Sequence, residues 1–224
     1  ADLADTIADG IREASEQFQP AIFSYGAGRC NLATNRDFKD ETLGKYVCGY
    51  NVDGEADDTV GVIRVASAAD HSVMATIVNY ACHPTTLAWD NTLVSPDYPG
   101  AMCEVVETAT AAPCFFIQGA SGDIGPRHGF VGDTTVADKN GRQLGYAALS
   151  ALEDLPPVDA QMKYGGAVIS GATIGSWGYE TSSSAQRARA AVWQEQRSEV
   201  ALAYRDDLPR HDELEQEAAE WRIK

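Results

Sequence analysis

The chain has 224 residues, 44% of them hydrophobic, enough for one domain or one and a half with a sizeable core, which excludes wholesale disorder. Seventeen basic against 33 acidic side chains leave a net charge of −16, so nucleic acid, which needs clustered Lys and Arg, is not an expected partner. No apolar run approaches the roughly 18 residues of a transmembrane segment, and the acidic opening ADLADTIADG does not read as a signal peptide.

Residues 2–18 carry Leu3, Ile7, Ile11, Ala14 and Phe18 at helical spacing, and Pro20 ends the run. AIFSYGAGRCNLA then reads as one extended strand or a hairpin, and the polar residues 36–58 read as a long excursion. Two β-branched runs, 59–67 and 71–82, predict a hairpin turning around Ala69–Asp70. Pro99 to Thr110 predicts a helix with proline in its first turn, followed by a buried strand at 113–120. A second helix is expected over 134–152, a break at Pro156–Pro157, and a strand over 163–175. Residues 182–204 read as a helix, and so does the acidic segment DELEQEAAEWRIK beyond Pro209.

Strand–helix–strand order in the middle of the chain implies an α/β fold: a mixed, partly parallel sheet flanked by helices. The expected organisation is a core over 1–155 and a continuation over 156–224 holding the 163–175 strand and the last helices. The first residue already sits in a helix and the last four carry no stop signal, so the chain reads as truncated at both ends. Five cysteines without a CxxC pair argue against a disulfide scaffold and a Cys-rich zinc site, and lean toward a reducing compartment.

Three loops carry candidate chemistry, each next to a strand or helix end, where α/β proteins gather ligands. In Cys82-His83-Pro84-Thr85, the proline holds His83 extended. A neutral imidazole so placed serves as metal ligand or base, or simply caps the strand end. In Ser95-Pro96-Asp97-Tyr98-Pro99-Gly100, Asp97 stands where a helix N-cap belongs and within a short loop of His83. In Gln118-Gly119-Ala120-Ser121-Gly122-Asp123-Ile124-Gly125-Pro126-Arg127, glycines expose amide N–H groups to an oxyanion, and Arg127 offers bidentate recognition of an anion. A phosphate-binding loop is excluded because its Lys and following helix are missing, and a G-x-S-x-G elbow does not fit Ala120-Ser121-Gly122.

His83 after an apolar strand, the Ser-Pro-Asp-x-x-Gly loop and Gly122-Asp123-Ile124-Gly125-Pro126 together resemble the neutral/alkaline, non-lysosomal ceramidase family. The segment Cys30 to Arg36 and the stretch from Asp53 to Val65 are similar to other parts of that family's core. The likeness covers roughly residues 1–150.

The resemblance implies a zinc-dependent amidase that cleaves an N-acyl bond, with a small-molecule or lipid-like amide substrate that need not be ceramide. It implies zinc held by two histidines, a glutamate and a tyrosine. His83 matches the second histidine; the other ligands are expected outside this chain, in the rest of its own polypeptide. It further implies Asp97 or Asp123 orienting His83 or the water, with Ser121, the Gly122–Gly125 amides and Arg127 around the substrate oxyanion. Where the family carries a catalytic serine this chain has Gly125, and Arg127 stands in place of an asparagine.

On this reading the 224 residues alone bind zinc weakly and show little or no amidase activity. The family also leans the compartment toward extracytoplasmic, against the odd cysteine count. The rival reading is a non-catalytic ligand-binding or assembly module on the same scaffold.

Overall fold

A computed structural model describes residues 2–192, 195–201 and 209–221. The chain divides into two units, the first ending at Ser182 and the second beginning at Ser183.

The first unit opens with α1 (Leu3–Glu16), capped by Asp2 and carrying no buried residue. Strands β1 (Ala21–Arg29), β2 (Ala33–Asn35), β3 (Asp37–Asp40), β4 (Lys45–Cys48), β5 (Thr59–Ser67) and β6 (Val73–Tyr80) follow. Then come α2 (Tyr98–Thr110), β7 (Cys114–Gln118), β8 (Ile124–Pro126), α3 (Thr134–Glu153), β9 (Ala160–Ser170) and β10 (Ala172–Thr181). The second unit holds α4 (Ser184–Ala190) and α5 (His211–Trp221).

The main sheet has the order β1-β5-β6-β7. β1 and β6 run antiparallel to β5, whereas β6 and β7 are parallel, with α2 lying between them in sequence. The expected hairpin of 59–67 with 71–82 and the parallel partner at 113–120 are both present, which makes this the mixed, partly parallel α/β sheet read from the sequence.

Strand alternation sends Val60, Val62, Val78 and Tyr80 into a core completed by Tyr98, Met102, Val106, Leu144 and Ala148 from α2 and α3. The opposite face carries the exposed rings of Phe23, Tyr25 and Phe115.

Several local expectations are corrected. The 21–33 run is neither one strand nor a hairpin: β1 pairs with β5, while β2 pairs with β8. The strand expected over 113–120 is β7, at the sheet edge, and it is not buried on both faces: Cys114 is buried, while Phe115 and Ile117 are exposed on the face opposite the core. The 163–175 segment is not a single strand. It turns at Gly171 (φ 74°), where glycine tolerates the left-handed backbone, and makes the β9–β10 hairpin. The long helix expected over 182–204 starts at a capping box of Ser183 and Gln186 but ends at Ala190. Residues 195–201 are not helical, and 193–194 and 202–208 lie outside the described residues.

All five cysteines are free: Cys30, Cys82 and Cys114 are buried, Cys103 half-buried and Cys48 exposed. Burial pushes the Cys82 thiol up from 9.0 to about 12. A folded-state value raised above the unfolded one gives stability that is complete below about pH 9 and is lost as pH rises toward 12. Thiol labelling at pH 8 is therefore expected to modify Cys48 first and Cys82 only on unfolding; fast labelling of Cys82 in the folded chain would contradict its burial.

Candidate active site at the carboxyl ends of β6 and β7

β6 and β7 end side by side, Tyr80 opposite Gln118, and the next residues of both strands build the site. The loops are tied together by backbone bonds. Gly119 N donates to Tyr80 O at 2.9 Å, and His83 N to Ile124 O at 3.0 Å. Beneath them, the buried Tyr98 hydroxyl donates to Cys82 O at 2.6 Å. The Tyr80 hydroxyl donates to Cys30 O at 2.6 Å and accepts from Ala33 N at 2.9 Å. Burial raises both phenols above their ordinary value, so they remain protonated donors.

His83 lies beside Ser121 and Gln118. Its Nδ1 is 3.0 Å from Ser121 Oγ and 3.0 Å from Gln118 Nε2, and Gln118 Nε2 donates to Ser121 Oγ at 2.6 Å. Ser121 is only 4% exposed.

The glycine loop is gripped from the far end of the sequence. Asn35 Nδ2 donates to Asp123 Oδ2 at 3.1 Å, and an Arg36 terminal nitrogen donates to Gly122 O at 2.8 Å. Gly125 lies in the β2–β8 ladder opposite Thr34. A Cβ built at Gly125 would meet Arg36 Cδ at 3.6 Å and Thr85 Oγ1 at 3.7 Å, which is ordinary contact. Arg36 Nε and Thr85 Oγ1 are both buried without a hydrogen-bond partner, leaving two donors unsatisfied on that side of the loop. Arg127 is exposed, its guanidinium carbon 5.9 Å from the centre of the Tyr50 ring.

Asp97 is the N-cap of α2, as its place in the sequence suggested. Its carboxylate accepts from Tyr98 N at 2.6 Å and from Leu87 N at 2.8 Å, which clamps the loop between His83 and α2. Its backbone, at φ 57° and ψ −152°, occupies a region that only glycine adopts without strain. Asp97→Ala is expected to cost about 2–4 kcal/mol, since both amides lose a partner while the strain stays. Asp97→Gly relieves the backbone and should be about 1–2 kcal/mol more stable than the alanine variant. Urea unfolding of the two variants checks this; equal midpoints would show that the strain is released elsewhere.

His83, Ser121 and Gln118 therefore meet directly, Asp123 and Gly122 are held by Asn35 and Arg36, and Asp97 connects to His83 through Leu87 and through Tyr98. His71 sits in the β5–β6 turn at the opposite end of β6, and His128 is exposed. Sequence reasoning assigned no role to Gln118, the last residue of β7. Arg36 entered only within the Cys30–Arg36 segment and Thr85 only as a neighbour of His83; neither was given a role, because their meaning lies in contacts made across the fold. Among the described residues no three or more His, Cys, Asp or Glu side chains gather as a metal-binding group. His83 is the only one of those four residue types in this contact, with Ser121 Oγ and Gln118 Nε2 at its Nδ1.

Two ceramidase structures share this fold: the neutral ceramidase from Pseudomonas aeruginosa, and a ceramidase complexed with C2. Each superposes with a TM-score of 0.53 at 18% identity over 71% of this chain. The chain spans 27% of the length of either ceramidase. No family model matches the sequence, and no curated protein matches it either.

Proposed function

We propose that this chain forms one wall of the active site of a metal-assisted hydrolase that cleaves the N-acyl bond of a lipid-like amide. The observation that carries the reading is the meeting of His83, Ser121 and Gln118 at the ends of two parallel strands, in a fold shared with ceramidases. His83 would hold zinc, with its remaining ligands supplied from outside these 224 residues. A zinc ion bound there supplies a water of pKa about 7 and polarises the scissile carbonyl.

The chain's own residues position and bind. Ser121 and Gln118 fix the imidazole, and Asp97 holds the loop that carries it. Asp123, anchored by Asn35, orients the water or its neighbours from the glycine loop. Arg127 takes an anionic part of the substrate, and the Gly122–Gly125 amides receive the developing oxyanion.

The test uses the natural full-length protein and a panel of N-acyl amides of short and long acyl chain. Stoichiometric zinc, and hydrolysis lost on chelation and restored by zinc, are expected. Tight binding of the amides without turnover in the zinc-loaded protein would instead favour a non-catalytic module.

A further inference from the structure

The β9–β10 hairpin forms a two-stranded sheet of its own. β10 is exposed along its whole length, and β9 everywhere except at Ala160 and Gly166, which are half-buried. Two strands alone gain little stability in water, so such a ribbon calls for a surface to lie on. In a chain with 22% charged residues, positions 164–179 carry no charged side chain. The turn at Gly171 is the tip, and the register orders the side chains by distance from it. Ile169, 85% exposed, pairs with Thr173 across the ribbon, and Val168 pairs with Ile174 one step further back. Val168 and Ile174 lie on one face and Ile169 on the other, so the tip is apolar on both sides. Gly166 and Ala167, opposite Ser176 and Gly175, separate the tip from an aromatic row. There Tyr164 lies against Trp177 with ring centroids 5.3 Å apart, and Tyr179 stands opposite Met162. Charge returns at the same level, where Lys163 Nζ donates to Glu180 Oε2 at 2.7 Å.

Apolar tip, aromatic row and ion pair follow the order of a bilayer boundary: hydrocarbon, the headgroup level where Tyr and Trp settle, and water. A protein partner covers one face or one edge of a ribbon, whereas lipid surrounds a tip that is apolar on both sides. We propose that the β9–β10 hairpin docks on a neutral, zwitterionic lipid surface. Its outer edges, which no third strand pairs among the described residues, keep it out of the hydrocarbon core, where bare N–H and C=O groups are costly. Roughly 20 Å of ribbon separate the turn from the aromatic row, so the hairpin lies inclined in the interface. Docking by the hairpin stands apart from the chemistry at His83 and does not depend on it.

The test is co-sedimentation of the natural full-length protein with phosphatidylcholine vesicles. Wild type is expected to bind, and Ile169→Asp and Ile174→Asp to bind about tenfold more weakly or worse, since each takes one apolar side chain out of the lipid. Equal binding by wild type and both variants overturns the proposal. So does a wild type that binds only when phosphatidylserine is added, or one that stays in the supernatant, whether as a monomer or as an oligomer of copies joined through the hairpin. If the aspartate variants do not fold, brominated phosphatidylcholine decides: it is expected to quench the fluorescence of wild type more than that of Trp177→Phe, and equal quenching overturns the proposal. Neither readout uses hydrolysis, so a protein that binds vesicles but cleaves no amide sinks the reading of the site and leaves the hairpin's role standing.

Discussion

In the natural full-length protein, His83→Ala is expected to lower kcat/KM for N-acyl amide hydrolysis by about 10²–10⁴-fold, the range for removing a positioned acid–base or ligating group. The loss should be chemical, not structural. The loop is held by backbone bonds that survive the substitution: His83 N to Ile124 O at 3.0 Å and Thr85 N to His83 O at 2.8 Å. Stability is therefore expected to fall by no more than about 1 kcal/mol. His71→Ala and His128→Ala serve as controls, since neither imidazole makes a hydrogen bond in this site. A His83→Ala enzyme within threefold of wild type would remove this residue from the reaction.

Gly141→Ala is expected to be the most damaging single-methyl change in the core. In an ordinary helix interior the substitution stabilises by about 1 kcal/mol. Here the new Cβ would lie 2.3 Å from Tyr98 O, 2.7 Å from Ala101 Cβ and 2.9 Å from Met102 N, where α3 crosses α2. Those are mostly backbone atoms at the start of α2, and they yield only if the helices part. Overpacking of this kind costs about 3 kcal/mol, so the net loss is about 2 kcal/mol or more. Gly122→Ala, with nothing within 4 Å, should stay within about 0.5 kcal/mol of wild type. Urea midpoints of the two variants test the contrast. Because Tyr98 also holds Cys82, Gly141→Ala should disturb His83 as well as the core.

The elements legible in the sequence were those whose signal is local. The β-branched runs at 59–67 and 71–82, and a proline opening the helix expected over 99–110, each identify an element within a dozen residues. The sheet's parallel pair followed, since a strand, a helix and a strand in succession leave few other arrangements. What escaped was decided at a distance. Nothing near Ala33–Asn35 says that its partner is Ile124–Pro126, and the break after Arg29 is visible only once that pairing is known. The largely apolar run at 113–120 reads as buried on both faces because composition does not report which face of the sheet is covered.

The site divides the same way. His83, Asp97, Ser121, Asp123 and Arg127 stood out by following strands or preceding a helix. Gln118 did not, since a lone polar residue closing a strand is commonplace. Its meaning depends on the His83 ring, 35 positions earlier.

The grip of Asn35 and Arg36 on the glycine loop has a consequence for the order of assembly. Asn35 reaches Asp123 across 88 positions, and Arg36 reaches Gly122 across 86. A ribosome adding about 5–20 residues per second takes roughly 4–18 s to cover that distance. During that interval the segment holding Asn35 and Arg36 has no loop to hold, while β5 and β6 pair locally with short closure. The sheet thus forms before its chemistry, and the loop bearing Ser121 and Asp123 is the late arrival. Slow or interrupted synthesis beyond β6 would leave a paired sheet with an unfinished rim, a state whose exposed apolar face invites association before the site exists.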